Sequence, residues 1–198
     1  MEIRIQPGYQ GRELLALMGG LGGEAEFRSG AGNASLLHVG SVEFIESVIG
    51  KRIPEFYPEW TESAWHRRIE RRRAFVKSAK GYKYREAFVD EVFISEPVEF
   101  VDEWRHYCAG GQSLCSWWYL GSDWTCENDP NGPLLPFDLP TGFCGAVDVG
   151  RLRDGRVALV EVQHPYAIGW YGESSDAGNY VEFLRAGWES LTGFDPFR

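Results

Sequence analysis

The chain has 198 residues, 43% of them hydrophobic and 15% aromatic, which excludes a disordered chain and suffices for a sizeable core in one domain or two small ones. Its net charge of −9 argues against nucleic acid as the main partner, because such binders carry a strong basic surface, but it leaves room for a nucleotide held by a few placed cations. No run approaches the ~18 apolar residues of a membrane span and the N-terminal stretch lacks a signal pattern, so a cytoplasmic location is expected, in a bacterium or in the host of a phage.

Met1-Glu2-Ile3-Arg4-Ile5 alternates like an opening strand. Residues 11–18 carry Leu14, Leu15, Leu17 and Met18 and read as a short helix. The glycine-rich residues 19–32 read as a flexible loop, or as a loop around a short strand. Residues 35–40 read as a buried strand. Ser41 then caps a helix whose apolar side is Phe44, Ile45, Val48 and Ile49, and Gly50 ends it. A helix start after Gly40-Ser41 also invites a phosphate site, although a plain cap accounts for it. Residues 54–58 read as a linker and residues 59–73 as an amphipathic helix, with Arg67, Arg68, Arg71, Arg72 and Arg73 on its solvated face. Strands are expected at 74–78, 84–89, 91–95, 98–108 and 113–120, with turns at Lys80-Gly81 and Gly110-Gly111. Residues 121–136 are irregular, and a last helix covers about 176–192, with Tyr180, Phe183, Leu184 and Trp188. Cys108, Cys115, Cys126 and Cys144 form no Cys-x-x-Cys pair and read as free thiols rather than a zinc site. Trp117, Trp118, Tyr119 and Trp124 read as core, or alternatively as a substrate wall.

The most informative stretch is residues 145–172. Ala146-Val147-Asp148-Val149-Gly150 is a strand carrying one carboxylate, Asp154-Gly155 is hairpin-turn chemistry, and the returning strand ends on Glu161 and Gln163. Side chains at i and i+2 of a strand share a face, so Glu161 and Gln163 point the same way and Asp148 can join them from the paired strand. Carboxylate and amide oxygens side by side are hard ligands that suit Mg²⁺.

An acid on one strand, then Glu-x-Gln closing the next, with a Gly169-Trp170-Tyr171-Gly172 loop after it, resembles the metal-site pattern of the ATP-grasp superfamily, in its Arg–Lys–Lys clade. Gln163 stands where that pattern usually has Asn. Phe75-Val76-Lys77 and Glu103-Trp104-Arg105 resemble two further strands of the clade. The resemblance covers about residues 35–192 and is strongest at 74–105 and 145–172. It implies an α+β, ATP-grasp-like fold of two β-rich subdomains with flanking helices, residues 56–198, preceded by a reduced N-terminal α/β region, residues 1–55. It implies ATP and Mg²⁺ as cofactors, with Asp148, Glu161 and Gln163 as the metal set. Lys77 would grip the phosphates and Arg105 would stabilise charge on the transferred phosphoryl group. Lys83 or Lys80 would be the second phosphate lysine, with Lys83 leading because a strand follows it directly. Glu96 or the backbone at Val98 would meet adenine, and Glu103 the ribose.

The function implied is a ligase that joins an unidentified carboxylate and an amine, small molecules or peptides, into an amide or peptide bond through an acyl phosphate. A homodimer is the candidate assembly, with no nucleic-acid or membrane partner. The alternatives are a non-catalytic nucleotide-binding sensor or adaptor, and a structural or host-interaction protein.

Overall fold

Alternating apolar residues at the start of the chain form β1 (Glu2–Ile5), and α1 (Arg12–Leu21), β2 (Glu26–Ser29), β3 (Leu37–Val39) and α2 (Val42–Ile49) follow. The computed structural model describes residues 1–50, 55–56, 75–78, 80–81, 92–95, 97–121 and 132–198. The first three strands make a parallel sheet in the order β2-β1-β3. The Ser41 hydroxyl accepts the Phe44 N–H at 3.3 Å, and Gly50 closes α2 in the left-handed region, so the helix starts and stops where its capping residues dictate. Ser41 therefore serves as the plain cap.

Helix α1 runs three residues further than its apolar pattern requires, through Gly19 and Gly20 to Leu21. The reason is tertiary. A Cβ on Gly20 would lie 2.8 Å from Val181 Cγ2 and 2.9 Å from the Ala177 carbonyl, so the glycine lets α1 lie directly against α3 (Ala177–Thr192). The close approach outweighs the roughly 1 kcal/mol that a glycine costs inside a helix.

Short strands follow, with β4 at Glu55–Phe56, β5 at Phe75–Ser78, β6 at Lys80–Gly81 and β7 at Val92–Ser95. β5 and β7 pair antiparallel with Lys77 opposite Phe93, and β4 pairs with β6. The expected helix at 59–73 and strand at 84–89 lie outside the described residues, as do Trp124 and Cys126.

Four longer strands carry the site: β8 (Phe100–Ala109), β9 (Gln112–Gly121), β10 (Gly145–Leu152) and β11 (Val157–Gln163). They form one antiparallel sheet in the order β11-β10-β8-β9. One face turns Trp104, Cys108, Val147, Val149, Leu159 and Val162 into a cluster closed by Leu135, Phe137, Leu139 and Phe143. The other turns Tyr107, Trp117 and Ala146 toward α3, into a core that also holds Ile3, Leu17, Leu37 and Ile45 of the N-terminal unit. One continuous core thus joins the two parts of the chain. Trp188 is its hinge pin: it is buried, its indole N–H donates to the Ala34 carbonyl at 2.9 Å, and its ring stacks on His38 at 5.3 Å. Among the described residues, Cys108, Cys115 and Cys144 are free thiols, and no helix is long and apolar enough to cross a membrane.

His106 is buried on β8, with Nδ1 2.9 Å from the Ser113 hydroxyl, and burial lowers its pKa to about 4. A histidine kept neutral by the fold binds fewer protons folded than unfolded. Its contribution is therefore complete above about pH 6.5 and is lost as the pH falls toward 4, by about 3 kcal/mol over the whole window. Equilibrium unfolding at pH 7 and at pH 4 is expected to show a smaller acid loss in His106→Gln than in the wild type. Equal losses would contradict the assignment.

Candidate active site

Glu103 and Arg105 stand on β8, Tyr119 on β9, Asp148 on β10, and Glu161 and Gln163 on β11. Strand order and register bring them together. Asp148 is the direct partner of Arg105 on one side and of Glu161 on the other. Register shifts fall at Glu103/Trp104 between β8 and β9 and at Asp148/Val149 between β10 and β11, flanking the polar patch on both sides. Bulges of this kind re-aim side chains beside active sites.

Asp148 is fully buried and Arg105 is 7% exposed. Arg105 donates from Nε to Asp148 Oδ1 at 2.8 Å and from Nη2 to Oδ2 at 2.7 Å, a bidentate fork. Burial works against the charge on Arg105, but the hydrogen bonds and charge of Asp148 more than offset it, so the arginine pKa is raised. The Tyr119 hydroxyl donates to Glu103 Oε2 at 2.6 Å and lies 3.2 Å from Asp148 Oδ2. Burial raises the Glu103 pKa; the Tyr119 bond pulls it down, and the nearby Asp148 and Glu161 charges push it up. The Gln163 amide nitrogen donates to Asp148 Oδ2 at 3.2 Å and also to Glu161 Oε1.

Glu103, Asp148 and Glu161 gather on this face of the sheet, where Arg105 is forked to Asp148 and Tyr119 bridges toward Glu103. Among the described residues no three His, Cys, Asp or Glu side chains close into a metal cage. Mg²⁺ does not ask for one, because it commonly takes one or two carboxylates and completes its shell with water and substrate phosphates. The adjacent Asp148 and Glu161 fit that demand in charge and in hard oxygen chemistry. The Gln163 amide as placed turns its NH₂ to the acids, and it would have to turn over for its carbonyl to ligate.

Beside Glu103 opens a recess of about 680 Å³, solvent-filled mouth included, lined by Glu99, Phe100, Asp102, Leu120 and Arg153. Asp102 is buried there and pairs with Arg151, and among the described residues its Oδ1 has no hydrogen-bond partner.

Residues 85–182 match a family of ATP-grasp domains, the second family of the Arg–Lys–Lys clade. This stretch is an ATP-grasp domain of the Arg–Lys–Lys clade. No curated protein matches it. The matched stretch contains Glu103, Arg105, Asp148, Glu161 and Gln163, so the patch on the four-stranded sheet lies inside the ATP-grasp domain. The superfamily binds ATP, typically with Mg²⁺, and its activity is of the ATP-dependent ligase type. Helices and an antiparallel sheet make the chain α+β.

Other expected site residues lie apart from this group. Lys77 is on β5, ahead of the matched stretch, and only its backbone is described. Lys83 and Glu96 lie outside the described residues. Val98 precedes β8 and is half-buried. Trp117 belongs to the core, whereas Tyr119 joins the site. Sequence reasoning missed Tyr171, whose ring stacks on Tyr119 at 5.1 Å and lies under the Arg105 guanidinium at 5.2 Å. The signal available for it was the aromatic pair between Gly169 and Gly172.

Proposed function

We propose that the chain is an ATP- and Mg²⁺-dependent carboxylate–amine ligase that makes an amide or peptide bond. The observation that carries this reading is the pairing of Asp148 with Glu161 across β10 and β11, beside Glu103 and the Arg105 fork and inside the matched ATP-grasp stretch. A divalent cation held there would offset the repulsion between these carboxylates and a triphosphate. In this reading residues 1–55 form the reduced N-terminal region and residues 56–198 form the nucleotide-handling domain with its two β-rich subdomains.

Asp148 and Glu161 would hold the metal, with Gln163 as a further ligand or as the donor that orients them. Lys77 and Lys83 grip phosphates as mobile point charges. The recess beside Glu103 takes the nucleoside, with Glu103 on the ribose and Glu96 or the Val98 backbone on adenine. A substrate carboxylate oxygen attacks the γ-phosphorus and ADP leaves, giving an acyl phosphate. The amine nitrogen then attacks the acyl carbon, phosphate leaves, and the nitrogen loses its proton. Arg105 stabilises charge on the transferred group. Catalysis of this kind is positioning and charge neutralisation, so no side-chain nucleophile is needed.

The test is phosphate release from ATP with Mg²⁺ over a panel of amino acids and peptides. Release that depends on both an acid and an amine is expected. A second reading, a nucleotide-binding sensor or adaptor without turnover, is favoured by the closed Arg105–Asp148 fork, which occupies both groups in the resting protein. Tight ATP binding with no release over the whole panel would select it.

A further inference from the structure

Arg105 and Asp148 are the most enclosed charges of the site, and neither can meet a ligand as it stands. Two tyrosine rings help to enclose them. Tyr119 and Tyr171 stack at 5.1 Å with an interplanar angle of 19°, and the Arg105 guanidinium carbon lies 5.4 Å and 5.2 Å from their centroids. Such contacts hold an arginine by cation–π attraction.

The two rings are held differently. Tyr119 sits in β9 and its hydroxyl is tied to Glu103. Tyr171 is 37% exposed, and among the described residues its hydroxyl has no hydrogen-bond partner. Its backbone, by contrast, is pinned. The Tyr171 N–H donates to the Tyr107 hydroxyl at 3.1 Å, that hydroxyl donates to the Gly169 carbonyl at 2.7 Å, and the Tyr180 hydroxyl donates to the Ile168 carbonyl at 2.6 Å. Gly172 packs against Trp170 and Trp117 with no room for a Cβ. The strap is fixed, so the partly exposed Tyr171 ring can leave Arg105 only by turning about its own side-chain bonds.

We propose that the Tyr171 side chain is a gate over the Arg105–Asp148 pair, closed in the resting protein and turned aside when an anionic ligand binds. Arginine has five N–H donors and Asp148 takes two, so three remain for a phosphate or carboxylate once the ring has moved. Tyr171 is a positioning residue in this role, because it controls access and does not touch the reacting atoms. Identifying the anion as the phosphate end of ATP rests on the function proposed above; the gate itself does not.

The test labels the whole chain with phenylglyoxal, without nucleotide, and follows each arginine by mass spectrometry. Arg153, with its side chain 73% exposed, is the internal control. An open state populated about one-tenth of the time slows labelling about tenfold, so Tyr171→Ala is expected to label Arg105 about tenfold faster with Arg153 unchanged. Tyr171→Phe keeps the stack and should label as the wild type does, which separates gating from general loosening. Should Tyr171→Ala fail to fold, Tyr171→Leu serves in its place. The apparent Kd for ATP with Mg²⁺ should fall by the same factor as the labelling rate rises, since both report the open fraction. An Arg105 rate in the truncated variant no faster than wild type overturns the gate, and so does equal acceleration in Tyr171→Phe. If no variant binds ATP, the nucleotide reading fails while the labelling still decides the gate.

Discussion

Asp148→Ala is expected to destabilise the fold by about 3–5 kcal/mol, because it leaves Arg105 as a buried charge without its partner. The fork supplies two hydrogen bonds at 2.8 and 2.7 Å, and Asp148 also receives Gln163 and lies within reach of Tyr119. The alanine cannot replace any of these. Replacing both members of the pair should be far milder. Arg105→Met with Asp148→Leu removes both desolvation penalties, and such exchanges of a buried pair for apolar residues are often neutral or stabilising. Urea unfolding of the wild type, the single variant and the double variant separates the outcomes. A double variant as unstable as Asp148→Ala would show that the pair holds the sheet by more than mutual compensation. The double variant should also lose nucleotide binding while it remains folded, which sets the function of the pair apart from its contribution to stability.

Glu161→Gln is expected to lower ligase turnover by about 10- to 100-fold, the scale of damage seen when groups around a metal site are altered. The substitution keeps shape and removes the negative charge that Glu161 brings beside Asp148 on the paired strand. Holding Mg²⁺ against the phosphates then costs more, so added Mg²⁺ should restore part of the rate. Gln163→Asn behaves oppositely. It shortens a neutral amide that donates to both acids, moves the position to the residue usual in the resembling pattern, and should keep or raise activity. Phosphate release across a Mg²⁺ titration reads both variants. Equal activity of Glu161→Gln and the wild type at every Mg²⁺ concentration would remove Glu161 from the metal site.

The elements that could be read in the sequence are those fixed by local chemistry. Asp154-Gly155 between two apolar runs determines the β10–β11 hairpin, and alternation along it puts Asp148, Glu161 and Gln163 on one face. Ser41 and Gly50 mark both ends of α2 because a cap is a matter of a few neighbouring atoms. What could not be read depends on partners far along the chain. Gly19 and Gly20 look like loop residues until α3 is laid against them. Arg105 and Asp148 each carry a recognisable motif, one for phosphate and one for metal, but their fork joins residues 43 positions apart and exists only because β8 pairs with β10. Tyr171 follows no strand or helix period. Its place over Arg105 is set by the hydroxyls of Tyr107 and Tyr180 holding the strap. The family resemblance singled out Glu103, Arg105, Asp148, Glu161 and Gln163 as candidates, and local pattern alone would have left them as a charged hairpin and an Arg/Glu strand.

Thermal unfolding with ATP alone, Mg²⁺ alone and both together tests the central claim most directly. The acid face repels a bare triphosphate, so stabilisation is expected only with both present, by roughly 2.7 kcal/mol when ATP with Mg²⁺ stands at 100 times its Kd. Absence of any shift at millimolar ATP with Mg²⁺ would contradict the assignment of this sheet face as a nucleotide and metal site.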